Sequence, residues 1–128
     1  MTLRSSLTLA VLIAGLAVPA FADGDAEKGE KVFNKCKACH MVGPDAKNRV
    51  GPELTDVIDR PIGSVEGFKY SDAFMEKNAE GFVWTTENLH SYLADPKGFI
   101  PGNKMSFAGL KKPEDVDAVI AYLSTFGE

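Results

Sequence analysis

The chain has 128 residues, with 14 Lys or Arg against 18 Asp or Glu and a formal net charge of −4. That length fits one domain, and the acidic balance excludes a general nucleic-acid or anionic-membrane binder, which would carry a basic excess. A disulfide staple is a poor use of the two cysteines, because Cys36 and Cys39 would close only a tiny loop.

The first element in the chain does not belong to the domain. Arg4 precedes the apolar run from Leu7 to Val18, and Ala20 and Ala22 make an A-x-A cleavage pattern. Residues 1–22 therefore read as a cleaved secretory signal peptide, with the domain at 23–128. An apolar run of that length falls short of the roughly 20 residues that a membrane span needs. Only Arg4 is lost from the charge count, leaving 13 bases against 18 acids, a formal −5.

Four helices follow. The first is expected from about Asp25 to Lys37, with acids early and Val32 and Phe33 on one face. A short one starts behind Ser71 as N-cap, with Phe74 pointing inward and Met75 as core filler. A third follows Trp84, capped by Thr85 or Thr86, and buries Leu89, Tyr92 and Leu93, leaving His90 exposed. The last begins at Pro113, places Glu114 and Asp115 in its first turn, and carries a stripe of Val116, Val119, Ile120 and Leu123. Long Gly- and Pro-rich loops at Met41–Asp56 and Pro96–Lys112 separate them, and no alternating strand pattern of useful length appears. About 106 residues make a modest core, and loops of this share suit a chain that wraps a large prosthetic group.

The sequence Cys36-Lys37-Ala38-Cys39-His40 carries the chemistry. In C-x-x-C-H both thiols add to haem vinyl groups and the following histidine turns a ring nitrogen to the iron. A thioredoxin-like dithiol would need a βαβ context, which is missing. A zinc site would have to combine adjacent Cys39 and His40 with distant His90, a poor tetrahedron. The reading is haem c, attached through Cys36 and Cys39 with His40 on the iron. Met105, in the irregular loop Ile100–Phe107, is the candidate for the second axial position; a thioether there favours ferrous iron. Met1 leaves with the signal, and Met41 cannot easily reach the face opposite His40.

With the haem motif near one end and Pro101-Gly102-Asn103-Lys104-Met105 near the other, the sequence resembles the class I c-type cytochromes. The likeness is to the bacterial cytochrome c2 and mitochondrial cytochrome c branch, and it covers essentially all of residues 24–126. It implies an all-α class I cytochrome c fold, with four or five short helices and ordered loops around one haem. It further implies that the Pro52 carbonyl accepts from His40, that Tyr92 lies near the Met105 sulfur, and that Asn103 braces the loop. Arg60, Tyr70 and Trp84 match residues that hydrogen-bond a buried propionate, and Phe107 matches one that covers the haem edge. Gly29 and Phe33 match a helix crossing with Val119 and Tyr122. The chain departs from many relatives in its acidic net charge, and from mitochondrial members in a slightly tighter approach from Phe33 to Cys36.

The resemblance implies a monomeric one-electron carrier of the periplasm, not an enzyme, shuttling between membrane complexes in respiration or photosynthesis. Cytochrome bc1 would be the donor, and a reaction centre or terminal oxidase the acceptor. Lys35, Lys37, Lys97, Lys104, Lys111 and Lys112 lie in two acid-free stretches around His40 and Met105, so a lysine-rich docking edge is expected. The alternatives are a haem enzyme or small-ligand sensor with Met105 off the iron, and the haem subunit of a larger oxidoreductase.

Overall fold

A computed structural model describes residues 24–127, together with Gly15 alone. The signal-peptide expectation for residues 1–22 otherwise lies outside the described residues. Among the described residues five helices occur in the order α1 (Ala26–Phe33), α2 (Asp72–Ala79), α3 (Thr86–Ala94), α4 (Pro96–Phe99) and α5 (Pro113–Ser124). No described helix is long and apolar enough to cross a membrane.

Local chemistry sets most of these boundaries. Asp25 caps α1 through a bond from Glu27 N, Ser71 caps α2 from Phe74 N, and Thr85 caps α3 from Asn88 N. Pro113 takes the first position of α5, where its missing N–H costs nothing, and Glu114 and Asp115 sit at the positive end of the dipole. Two expectations need correction. The first helix ends at Phe33 rather than Lys37, because the bonding tightens from i→i−4 to i→i−3 at Lys35 N to Val32 O (3.1 Å) and Cys36 N to Phe33 O (2.8 Å). Inside the expected loop, Asp95 accepts from Gly98 N and Pro96 starts the one-turn helix α4.

The core forms where α1 crosses α5, with α3 against α5 and α4 against α3. The approach is close enough that a Cβ at Gly29 would collide with the Ala118 carbonyl. Phe33 meets Tyr122 with ring centroids 5.4 Å apart, and Val116, Ala118, Val119 and Leu123 are buried on the facing stripe. The loops supply the rest. Among the described residues the only bridge pairs Pro61 with Val83, flanked by bonds from Trp84 N to Arg60 O (2.8 Å) and Ile62 N to Phe82 O (2.9 Å). That short pairing holds Trp84 beside Arg60.

Burial departs from expectation at three places. Leu93 is only partly buried, Met75 is 45% exposed rather than core filler, and His90 is partly covered, with its Nε2 3.3 Å from an Asp117 carboxylate oxygen. Leu93 nevertheless packs on the core, as do the partly buried Cys36, Leu54, Ile58, Phe74, Phe99, Met105 and Phe107.

Candidate functional site

The C-x-x-C-H segment follows α1 as a run of tight turns, with His40 N bonded to Cys36 O at 2.9 Å. Cys36 and Cys39 are not joined to each other in a disulfide, and each is partly buried. Before any attachment, burial, helped by neighbouring Cys39 and opposed by Lys35, pushes the Cys36 thiol up to about 11. His40 Nδ1 lies 2.7 Å from the Pro52 carbonyl. A carbonyl only accepts, so Nδ1 carries the proton and Nε2 keeps its lone pair. Burial holds the His40 imidazole below its ordinary value, outweighing the raising effect of the Pro52 bond, and Arg60 lowers it further. The glycine directly before Pro52 explains the fit: a Cβ on Gly51 would collide with the His40 ring.

The second half of the site is the loop after α4. Asn103 is 4% exposed and organises it. Its side-chain nitrogen donates to Pro96 O and Ile100 O, both at 2.8 Å, and its oxygen accepts from Met105 N at 2.9 Å. The Met105 sulfur in turn accepts a hydrogen bond from the Tyr92 hydroxyl at 3.7 Å. Tyr92 is buried against Trp84 (4.9 Å between centroids) and Phe74 (5.9 Å). Phe107 is partly buried, and its N–H bonds to Met105 O at 3.0 Å.

Arg60, Tyr70 and Trp84 are drawn together by different means. Arg60 donates to Thr55 O (3.0 Å) and Glu53 O (3.2 Å) and pairs with Glu53 at 3.6 Å, while its backbone is tied to Trp84. Tyr70 accepts from Val65 N at 2.9 Å and stacks on Phe74, which meets Trp84 at 6.1 Å. Burial raises the Tyr70 phenol above its ordinary value, and the bond from Val65 N and then proximity to Arg60 partly offset this.

These residues fit a haem. Nε2 of His40 and the thioether of Met105 are a nitrogen and a sulfur of the kind that would suit a c-type haem iron. Among the described residues Arg60 Nε is a buried donor with no hydrogen-bond partner, the kind of group that a haem propionate satisfies. Two thiols one turn apart, on a segment that packs against the apolar core, suit covalent attachment at a macrocycle edge.

Sequence reasoning missed several contributors. Lys97 appeared only as a cation of the docking edge, yet its Nζ donates to Asn103 O at 2.7 Å and so clamps the Met105 loop. Lys111 likewise donates to Ala108 O at 2.9 Å. Glu53 and Thr55, which hold Arg60, were not singled out, and two of the three contacts use main-chain carbonyls that any residue would provide. The Asp residue at the α4 cap offered a local signal that could have been read.

The fold and the site together define a small helical protein built around one covalently bound haem. Residues 26–127 match the family model Cytochrome c, and the chain belongs to that family. Cytochrome c-550 of Ancylobacter novellus is 60% identical over 99 residues, covering 77% of this chain and 92% of the relative. Cytochrome c2 of Afifella marina is 54% identical over 98 residues, covering 77% and 79%. Among solved structures, cytochrome c2 from Rhodospirillum centenum superposes with a TM-score of 0.79 at 44% identity, covering 82% of this chain and 100% of that one. The class I cytochrome c fold, one haem c held through Cys36 and Cys39, and the role of a c2-type electron carrier follow.

Proposed function

We propose that this cytochrome is a periplasmic, monomeric shuttle, exported by cleavage after residue 22, that uses His40 and Met105 as its two axial ligands and performs no bond chemistry. When bound, haem c supplies a one-electron iron couple. The chain's own residues do the rest. Pro52 fixes the His40 tautomer and strengthens Nε2 as a donor. Asn103 and Lys97 hold Met105 in place, and the Tyr92 hydroxyl bonds its sulfur. Arg60, with Tyr70 and Trp84 beside it, offers Nε to a propionate, and Phe107 shields the edge. A site in which two ligands are both braced by the protein changes little when an electron moves, which suits a carrier and opposes a ligand sensor.

The observation that carries this reading is the bracing of Met105 from three sides, through its N–H, its sulfur and its loop. Met105→Ala should leave the haem attached, lower the potential and admit cyanide or azide rapidly. The weak far-red band of methionine-ligated ferric haem should vanish. An unchanged band and potential would overturn Met105 as ligand.

The partners are cytochrome bc1 as donor and a reaction centre or terminal oxidase as acceptor, in photosynthesis or respiration. They meet the edge marked by Lys35, Lys37, Lys97, Lys104, Lys111 and Lys112, all of which are exposed. Lys104→Glu should slow the reaction with purified bc1 complex and flatten its salt dependence, whereas Lys69→Glu, outside both stretches, should not. Equal effects would remove the lysine edge from the account.

A further inference from the structure

The Arg60 guanidinium is a fork of N–H donors, and the chain satisfies only part of it. One terminal nitrogen donates to Thr55 O at 3.0 Å and the other to Glu53 O at 3.2 Å, while the buried Nε meets no acceptor among the described residues. Glu53 faces the same group a second time, through its carboxylate. Its Oε1 lies 3.6 Å from Arg60 Nη1, an ion pair just beyond hydrogen-bond reach. Its Oε2 accepts from Thr55 N at 2.8 Å.

Neither contact of that carboxylate needs its charge. A neutral amide would accept from Thr55 N as well, and the Glu53 main-chain carbonyl already anchors the guanidinium. An ion pair whose side chains are 15% and 25% exposed adds little to the fold. The surroundings are rich in acid. An open cavity of about 630 Å³ beside the pair is lined by Lys47 and Arg60 against Glu53, Asp56 and Glu66. Burial holds the Arg60 guanidinium below its ordinary value, and Tyr70, Glu53 and Asp56 oppose that. Arg60 stays charged at any working pH, so it is a cation faced by acids before a propionate is added.

We propose that Glu53 is a positioning residue that sets the reduction potential by competing with a haem propionate for the Arg60 guanidinium. This rests on the reading of Arg60 Nε as a propionate donor and deepens it. With Glu53 ionised, one cation is shared between two anions, and the propionate is less compensated. The surplus negative charge favours ferric over ferrous iron and lowers the potential. The titratable and charged groups around Arg60 are Glu53, Asp56 and Tyr70, with Lys47 and Glu66 on the cavity wall. As acid protonates the carboxylates among them, negative charge is lost and the potential rises, the protons coming from water in the open cavity.

The test is a spectroelectrochemical titration of the holoprotein at several pH values. Glu53→Gln keeps the acceptor for Thr55 N and removes only the charge. It should raise the equilibrium constant for reduction about two- to tenfold, a tenfold change being about 59 mV for one electron. It should also flatten the fall of potential as pH rises through the acid range, because one carboxylate fewer ionises beside Arg60. Its unfolding midpoint should stay within about 4 °C of native. Glu66→Gln, which removes a charge from the same cavity wall outside the ion pair, should shift the constant less than about 1.5-fold. Arg60→Lys reads the propionate contact separately, since it keeps a charge but lacks Nε, and it should lower the potential. An unchanged potential in Glu53→Gln beside a lowered one in Arg60→Lys refutes the competition and leaves the propionate contact standing. No change in either variant removes that contact as well. A fall in Glu53→Gln overturns the proposal, and so does an equal rise in Glu66→Gln, which would show a general field rather than competition for one guanidinium.

Discussion

Replacing Asn103 with Ala would remove three hydrogen bonds from a side chain that is 4% exposed, and the loss is uneven. Pro96 O still accepts from Ile100 N at 3.0 Å, and Ile100 O from Asn103 N at 3.2 Å, so each carbonyl keeps a partner. Those two bonds cost about 0.5 kcal/mol each, at the low end for a bond within a protein. The Met105 N–H has no such substitute, and a partly buried orphan donor costs about 1–3 kcal/mol. The sum is about 2–4 kcal/mol, which for a domain near 100 residues is a fall in midpoint of about 10–25 °C. Thermal unfolding of the holoprotein followed by circular dichroism measures this, and the far-red band of the ferric form reports whether Met105 stays bound. Asn103→Thr offers a hydroxyl to Met105 N and should recover about half of the loss. Asn103→Asp keeps that acceptor but sets a carboxylate against the Pro96 and Ile100 carbonyls, so it should recover less. A fall below about 4 °C for Asn103→Ala, with the band intact, would show that the loop is held by something other than this side chain.

Other outcomes follow from the same contacts. Gly29→Ala should destabilise by about 2–4 kcal/mol despite the better helix propensity of Ala, because its Cβ meets the Ala118 backbone; denaturant unfolding gives the value. Lys97→Met should weaken the hold on Asn103 O and speed azide binding to the ferric protein several-fold, measured by stopped-flow absorbance, while Lys112→Met should not. Burial holds the Tyr92 phenol well above its ordinary value of 10.0. A folded pKa above the unfolded one favours the neutral phenol in the fold. Stability is then fully present below about 10 and falls as pH rises from there towards the folded pKa. Unfolding curves of Tyr92→Phe should lose part of that alkaline decline.

What the sequence disclosed, and what it did not, divides by the range of the interaction. Ser71, Thr85 and Pro113 announce helix starts because a cap is settled within three residues, and all three lie where expected. The end of α1 was misplaced because a helix that tightens into i→i−3 turns keeps nearly the same apolar spacing, so periodicity cannot register the change at Lys35. A one-turn helix such as α4 has no period to detect; only its Asp95 cap marks it. Asp56 and Asp59 adopt left-handed backbone, with φ of 58° and 62°, which short polar side chains tolerate but do not signal.

The site shows the same division more sharply. Cys36, Cys39 and His40 could be read directly, since covalent attachment needs those atoms at that spacing. Met105 was singled out by elimination, because few thioethers compete, and its ligand role stays a proposal. Arg60 could not: its guanidinium is held by the Thr55 and Glu53 carbonyls and its backbone by Trp84, contacts that cross five, seven and twenty-four positions. Only resemblance pointed to it, and the geometry then supplies a reason, a buried Nε with no partner among protein groups. Lys97 runs the other way. Its charge placed it in a docking edge, but its amino group also holds the loop that presents Met105. A partner carboxylate that drew Lys97 outward would loosen that hold. On the proposed function, the same cation would link the surface offered to a partner to the loop that carries Met105, and a charge count in the sequence carries no trace of that coupling.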